Sequence, residues 1–234
     1  MSNSSLATKH IPSPNNSGPR TMPIDRITPH CVVGQASAED ICKVFKSRYR
    51  KASCNYAIGF SGDIALCVDE GKRSWCSSSN ANDQRAVTIE CASDITHPYT
   101  MTSAVWQSLI TLCADICKRN GKKKLLWFPD KELALSYKPK SEEMIITVHR
   151  WFANKACPGD WLYYRLPTLA SIVTASLDTS AKNTYYTYTV KAGDTLWGIA
   201  SREMGSGHKY MDLMRFNKMT TVTIRPGDLI KIPK

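Results

Sequence analysis

The chain has 234 residues, of which 42% are hydrophobic, and its formal net charge is +11. This length predicts one domain of ordinary size plus a smaller one, and the hydrophobic share excludes a wholly disordered chain. The basic balance favours a negatively charged partner, but it does not choose among nucleic acid, an anionic membrane and a wall rich in phosphate and carboxylate.

No membrane-spanning or secretory segment is predicted from the sequence. No run of about 18 apolar residues is present, so we expect no membrane insertion. Residues 1–22 are rich in Ser, Asn and Pro and lack the apolar region of a signal peptide, so we expect no signal peptide and a protein that starts in a cytoplasm. The nine cysteines are an odd number, which argues against a disulfide framework and predicts that most are buried hydrophobic residues.

Hydrophobic periodicity predicts an alternation of strands and helices in the first 176 residues. In chain order these are a strand over 24–33, a helix capped by Ser37, a hairpin of 55–60 and 64–68, a strand over 85–91, a helix over 102–120, strands over 125–128 and 144–148, and a helix from Trp161 disturbed at Pro167. This order predicts a mixed α/β domain with a central β-sheet flanked by helices.

The C-terminal part predicts a small separate unit. Residues 177–186 are polar and without periodicity, which indicates a linker. A β-α-α-β unit follows, with elements over 187–190, 195–203, 209–217 and 228–232.

This C-terminal unit, residues 187–233, resembles a LysM domain. The matching positions are 188–190 (YTV), 193–197 (GDTLW), 199–200 (IA), Asn217 and 224–228 (IRPGD). The resemblance implies binding of N-acetylglucosamine units in a shallow groove between the loops 193–196 and 219–226. It assigns the sugar contacts to Gly193, Asp194, Thr195, Leu196, Ile224, Arg225 and Pro226, whereas we expect Trp197 to belong to the core.

Two histidines and one cysteine suggest a metal site in the first domain. His30 lies at the end of the first long predicted strand, and His149 precedes Cys157 and a Pro-Gly turn. Catalytic zinc needs three protein ligands and an open fourth position, which this set can supply. A single histidine is more often structural, so the spacing alone leaves both interpretations open.

Residues 23–176 resemble the type 2 N-acetylmuramoyl-L-alanine amidases, a family that includes phage endolysins and is related to animal peptidoglycan recognition proteins. The matching stretches are 27–30, 55–59, 61–63, 85–90 and 149–159. The resemblance implies a Zn²⁺-dependent hydrolase that cuts the bond between N-acetylmuramic acid and L-alanine of peptidoglycan. It assigns the zinc ligands to His30, His149 and Cys157. Residues 13–20 also resemble the lead-in of Gram-positive phage amidases, so we expect segment 1–22 to pack on the domain.

The same resemblance assigns three catalytic roles. Glu90 is expected to act as the general base that takes the proton from water and returns it to the leaving amine. Lys155 is expected to stabilise the oxyanion, and Tyr56 to assist by hydrogen bonding. The alternatives are a surface carboxylate, a solvated lysine and a packing tyrosine. Loop 75–79 departs from many relatives, which carry a histidine there, and is predicted only as a substrate contact.

Several alternative functions remain compatible with the sequence. One is a recognition protein that binds the wall without cutting it. Another is a wall peptidase with Cys157 as the nucleophile and His149 or His30 as the base, which would resist chelation. Nucleic-acid binding is suggested by charge alone, and the LysM resemblance argues against it. The missing signal peptide predicts a phage or prophage endolysin acting at the wall after release from the host cytoplasm, with a bacterial autolysin as the alternative.

Overall fold

The computed structural model describes residues 2–178 and 185–233, which belong to two compact units. The N-terminal unit ends at Asp178. Most of the predicted linker, residues 177–186, lies outside the described residues. The residues at its two ends belong to regular secondary structure. Leu177 is the last residue of a helix, and Tyr185 is the first residue of a strand.

The predicted alternation of strands and helices is present in the N-terminal unit. Its elements are β1 (Lys9–His10), β2 (Asn16–Pro19), β3 (Arg26–Cys31), α1 (Ala38–Val44), β4 (Tyr56–Ile58), β5 (Ile64–Leu66), β6 (Lys72–Ser74), α2 (Asn80–Arg85), β7 (Ala86–Cys91), α3 (Ser103–Arg119), β8 (Lys124–Leu126), α4 (Lys131–Ser136), β9 (Glu143–Ile146), α5 (Asp160–Tyr163) and α6 (Leu166–Leu177). Short 3-10 turns cover Arg48–Arg50 and His149–Trp151.

A seven-stranded sheet with the order β1-β5-β4-β7-β3-β9-β8 forms the centre of this unit. The strands from β4 to β8 in this order pair in parallel, whereas β5 is antiparallel to β4. The predicted mixed sheet with flanking helices is therefore confirmed. Because β3 and β7 lie in the middle of the sheet, their carboxyl ends are covered on both sides by neighbouring strands and loops.

Helix boundaries follow local hydrogen bonding. Ser37 caps α1 by accepting a hydrogen bond from the Asp40 backbone N–H, as predicted, and Thr102 caps α3 in the same way. The helix predicted from Trp161 is divided into α5 and α6. Pro167 lies in the first turn of α6, where a backbone N–H has no intrahelical acceptor, so proline removes no helix hydrogen bond there.

The lead-in segment packs on the sheet of the N-terminal unit. Strand β1 pairs in parallel with β5, and β2 pairs antiparallel with β6. The Arg20 guanidinium donates hydrogen bonds to the backbone oxygens of Glu70 and Ala86 and to the Asn55 side chain. The contacts thus make residues 2–22 a structural part of the unit that carries the predicted zinc ligands.

The C-terminal unit has the predicted β-α-α-β order. Its elements are β10 (Tyr185–Thr189), α7 (Leu196–Met204), α8 (Tyr210–Phe216) and β11 (Leu229–Pro233). Strands β10 and β11 pair antiparallel, and the helices cover a core that includes Leu196, Ile199 and Leu213. None of the helices in the described ranges is long and apolar enough to cross a membrane.

Trp197 does not belong to that core, so the sequence-based expectation is wrong. Its side chain is 48% exposed, while its neighbours Leu196 and Ile199 are buried. The indole packs so closely on Gly207 that a Cβ at this glycine would lie 2.2 Å from Trp197 Cε2. The helix therefore turns Leu196 inward and leaves Trp197 on the surface.

Candidate active site

The first two site residues lie side by side at the carboxyl ends of two central strands. His30 in β3 and Glu90 in β7 are register partners, so their side chains project from the same face of the sheet. The distance from His30 Nδ1 to Glu90 Oε1 is 4.0 Å, and the two side chains are 1% and 14% exposed.

A third segment brings the other two predicted zinc ligands to the same place. Strand β9 pairs with β3 and leads into the 3-10 turn that begins at His149. The rings of His30 and His149 have centroids 5.0 Å apart, and Cys157 Sγ lies 3.3 Å from His30 Nδ1. One ligand atom from each of the three residues lies within 4.8 Å of the others. A tetrahedral zinc ion spaces nitrogen and sulfur ligands by about 3.4–3.6 Å, so the three residues fit such an ion.

The loop that returns Cys157 to the histidines is held from both ends. The Arg150 backbone N–H donates to the Cys157 carbonyl at 3.0 Å, and its guanidinium donates to the Ala156 carbonyl and to Asp160. Gly159 has a φ of 81°, and a Cβ there would lie 2.9 Å from Tyr99 Cβ. Only glycine suits both the left-handed turn and this close approach.

Burial and a neighbouring thiol determine the charge states of His30 and Cys157, two of the predicted zinc ligands. Desolvation, with a smaller effect from His149, lowers the pKa of His30 to about 3, so its imidazole is neutral at pH 7. A hydrogen bond with Cys31 and burial raise the pKa of the Cys157 thiol well above its usual value. His30 Nε2 is buried and has no hydrogen-bond partner within residues 2–178 and 185–233. Neutral imidazole is the form that binds metal, and a bound cation would favour the Cys157 thiolate.

Glu90 is a buried carboxyl group with few partners. Burial raises its pKa to about 7, and the Cys76 thiol, which donates to Oε1 at 3.7 Å, opposes this shift. Its Oε2 atom is buried without a hydrogen-bond partner in the described part of the chain. A carboxyl group with a pKa near neutrality can both accept and return a proton at the pH of a cell.

The structure does not bring Tyr56 to this cluster, which corrects the sequence-based assignment. Tyr56 pairs in register with Ile89, one position before Glu90, so its side chain points to the opposite face of the sheet. Its hydroxyl donates to Glu70 Oε1 at 2.6 Å and accepts from the Ser4 backbone N–H. Tyr56 is thus part of a buried polar cluster behind the sheet.

Lys155 lies at the exposed rim of the site, in the loop between His149 and Cys157. Burial is the main cause that lowers the pKa of His149, and the positive charge of Lys155 adds to it. The side chain is therefore close enough to act electrostatically on the cluster while its own position stays open to solvent.

Loop 75–79 contributes two residues that sequence analysis did not assign. The Cys76 thiol contacts Glu90, and Ser78 Oγ lies 3.0 Å from His149 Nε2. The buried Asp83 carboxylate fixes this loop by accepting from the backbone N–H groups of Cys76 and Ser77. The sequence shows a polar loop before a helix, but no local signal indicates which part of the fold it covers.

A second concave site lies in the C-terminal unit. A cavity of about 510 Å³ is lined by Asp194, Thr195, Leu196, Trp197, Tyr210, Val222, Thr223 and Ile224. It therefore lies between the two loops predicted to frame a groove. Four of the predicted contact residues line it, whereas Gly193, Arg225 and Pro226 do not.

Two protein-family models match the chain. The family model described as N-acetylmuramoyl-L-alanine amidase matches residues 20–160, and the LysM domain model matches residues 188–233. No curated protein sequence matches the chain.

Several solved structures are similar to the N-terminal part. A selenomethionine derivative of AmpD is 18% identical with a TM-score of 0.50, and the match covers 73% of this chain and 99% of that one. The N-acetylmuramoyl-L-alanine amidase LysC from Clostridium intestinale is 16% identical, with a TM-score of 0.46 over 74% and 99%. The Ph2119 endolysin from a Thermus scotoductus bacteriophage is 12% identical, with a TM-score of 0.48 over 70% and 99%. At these identities the likeness concerns the fold.

Proposed function

The chain belongs to the N-acetylmuramoyl-L-alanine amidase family and has a C-terminal LysM domain, and we propose that it is a zinc-dependent endolysin. In this proposal it hydrolyses the amide bond between N-acetylmuramic acid and L-alanine. The observation that carries the proposal is the convergence of His30, His149 and Cys157 beside the buried carboxyl group of Glu90.

The donor set supports zinc as the cofactor. Two imidazoles and one thiolate suit zinc and leave a fourth position for a ligand, whereas magnesium and calcium prefer oxygen donors. His30 is buried as a neutral imidazole, as a metal ligand must be. Zinc held there would polarise the scissile carbonyl group and make water acidic enough to attack it near neutral pH.

Proton transfer is assigned to Glu90 in this proposal. Its carboxylate takes a proton from the attacking water, holds it on a group whose pKa is about 7, and delivers it to the leaving L-alanine nitrogen. Lys155 at the rim supplies a positive charge for the oxyanion of the tetrahedral intermediate. Its exposure allows the side chain to close onto substrate, which is consistent with this role.

The LysM cavity is proposed to bind N-acetylglucosamine units of the glycan strand. Trp197 lines the cavity and is half exposed, so its ring can stack on a sugar face. Asp194 and Thr195 offer polar groups at the same opening. Holding the enzyme on the wall raises the local concentration of the scissile bond.

The close contact between Cys157 and His30 also resembles a thiol nucleophile with its base, which makes a wall peptidase the second candidate. The electrostatics oppose it, because an activated pair needs a low thiol pKa and a protonated imidazole. Here the pKa of Cys157 is raised and that of His30 is lowered. A recognition protein without activity is less consistent with a complete set of ligands beside Glu90.

A phage or prophage origin is part of the proposal. The amidase family to which the chain belongs includes phage endolysins, which supports it. The enzyme would then be made in the cytoplasm of a Gram-positive host and act on the wall after release. A bacterial autolysin with the same chemistry is the alternative.

The test is digestion of purified Gram-positive peptidoglycan with and without EDTA, followed by addition of Zn²⁺. The expected result is new L-alanine amino termini without new reducing sugars, lost on chelation and restored by zinc. Cleavage that survives chelation but is lost on thiol alkylation would instead support the peptidase. Wall binding without released ends would support a recognition protein.

A further inference from the structure

A second group of metal donors lies beside the first and shares one histidine with it. His30, Cys76 and Glu90 each offer a ligand atom, and these atoms lie within 4.8 Å of one another. Glu90 Oε1 is 3.7 Å from Cys76 Sγ and 4.0 Å from His30 Nδ1. Ligands of a tetrahedral zinc ion are about 3.4–3.6 Å apart, so small side-chain movements would close this group around an ion.

The environment of the group favours a cation. The carboxyl group of Glu90 has a second oxygen, Oε2, that is buried without a hydrogen-bond partner among the residues that the structure covers, so it can also be offered to an ion. Buried polar atoms without a partner are rare in native proteins, and a bound ion is one of the ways in which they are satisfied. The third donor is held in place, because the Cys76 backbone N–H donates to Asp83 Oδ2 at 2.9 Å.

We propose that His30, Cys76 and Glu90 form a second metal site. It competes for His30 with the first group of donors, in which His30 is combined with His149 and Cys157. One thiolate, one imidazole and one carboxylate select thiophilic divalent ions such as Zn²⁺, Co²⁺ and Cd²⁺ over Mg²⁺ and Ca²⁺. On binding, the Cys76 thiol releases its proton to solvent and coordinates as a thiolate.

Occupancy of this site has a consequence for hydrolysis, which rests on the proposed amidase function. An ion there engages the Glu90 carboxylate, so the proton acceptor is lost, and it draws His30 away from the other two ligands. Because the two groups share His30, their relative occupancy depends on the identity of the ion. An ion that prefers Cys76 and Glu90 therefore inhibits the enzyme, whereas one that prefers His149 and Cys157 activates it. The site itself does not depend on that function.

The experiment uses Co²⁺ binding to the full chain carrying Cys157→Ser, which removes the thiolate of the first group. We expect one Co²⁺ per chain with a thiolate-to-cobalt charge-transfer band in the near ultraviolet. Adding Cys76→Ala to this variant abolishes the band. The matched control adds Cys113→Ala instead, a buried cysteine in α3 outside both groups, and retains the band.

A Cys157→Ser variant without the band, or a band that survives Cys76→Ala, would overturn the proposal. If circular dichroism shows that the Cys76→Ala double variant does not fold, Cys157→Ser with Glu90→Gln decides the question. That variant keeps the band but binds Co²⁺ at least about tenfold more weakly, and an unchanged dissociation constant would overturn the site. Failure of the amidase proposal is detected by a different measurement, because peptidoglycan digests would then contain no new L-alanine amino termini.

Discussion

Two buried glutamates on opposite faces of the central sheet have very different surroundings. Glu70 is fully buried and accepts hydrogen bonds from the Tyr56 hydroxyl at 2.6 Å and from the Arg119 guanidinium at 2.9 Å. Glu90 has a cysteine thiol at 3.7 Å as its hydrogen-bond partner, and its Oε2 has none within the described ranges. The first carboxylate is neutralised and fixed, whereas the second keeps unused lone pairs.

This difference in partners distinguishes a carboxylate with a structural role from one that is available for proton transfer. A buried charge is tolerated when it is paired and hydrogen-bonded, which is the situation of Glu70 beside Arg119. Glu90 has no cationic partner in the part of the chain that the structure describes, so burial destabilises its charged form and raises its pKa. Both side chains are largely shielded from solvent, with 0% and 14% of their surface exposed. The number and charge of the partners therefore distinguish the two clusters.

The largest expected effect is the loss of hydrolysis in the Glu90→Gln variant. This change keeps the shape of the side chain but removes the proton acceptor, so hydrolysis should fall by about 10²–10⁴-fold. Stability should not fall, because no charged partner of Glu90 is left unpaired. The measurements are the rate of L-alanine amino-terminus release and urea unfolding. Near-normal hydrolysis by this variant would contradict the assignment of Glu90.

The opposite pattern is expected for Arg119→Met. Loss of the guanidinium leaves the Glu70 carboxylate buried without its cation, which should cost about 3–5 kcal/mol of unfolding free energy. Hydrolysis per folded molecule should be unchanged, because this cluster faces away from the proposed zinc ligands. Lys118→Met on the same helix is the matched control, since Lys118 is exposed. A selective loss of activity would show that the two faces are coupled.

A pH series on metal-free protein tests the raised pKa of Glu90. Because the pKa is 4.5 in the reference state and about 7 in the folded state, folding is favoured by a proton on this group. Its contribution is fully present below pH 4.5 and is lost as the pH rises through 7. Wild type should therefore weaken relative to Glu90→Gln by up to about 3 kcal/mol over this window.

The comparison with Glu90→Gln is needed because the titration of His30 changes the unfolding free energy in the opposite direction. Its pKa is lowered from 6.5 to about 3, so its contribution is present above pH 6.5 and is lost as the pH falls toward 3. The difference between the two proteins in EDTA, measured by urea unfolding, isolates Glu90. A difference that does not vary with pH would mean that the carboxyl group is solvated.

Sequence analysis predicted the sheet, the helix caps and the residues of the metal group because these depend on local patterns and on a family motif. Alternation along a strand and a Ser or Thr before a helix are visible in a few residues. The motif also names His30, His149 and Cys157, although their convergence depends on three separate segments. Their zinc-binding role stays a prediction that chelation tests.

The features that were missed depend on contacts between distant segments. Tyr56 was placed by motif alone, although its register with Ile89 turns it to the other face. Trp197 lies on the outer side of its helix, where its ring packs on Gly207 from a later turn and not on the core. Cys76 reaches Glu90 because Asp83 folds its loop back. None of these contacts has a signature within a short stretch of sequence.

The smallest expected effect, that of Tyr56→Phe, tests the division between the two faces most directly. The change removes the hydrogen bond to Glu70 and the one from the Ser4 backbone N–H but leaves Arg119 in place. The unfolding free energy should therefore fall by about 1–2 kcal/mol. Hydrolysis per folded molecule should equal that of wild type, because the hydroxyl points away from Glu90 and the proposed zinc ligands. Urea unfolding and the L-alanine release assay measure the two quantities on the same preparation. Intact stability with a loss of hydrolysis would return Tyr56 to the catalytic side and remove the distinction between the two glutamates.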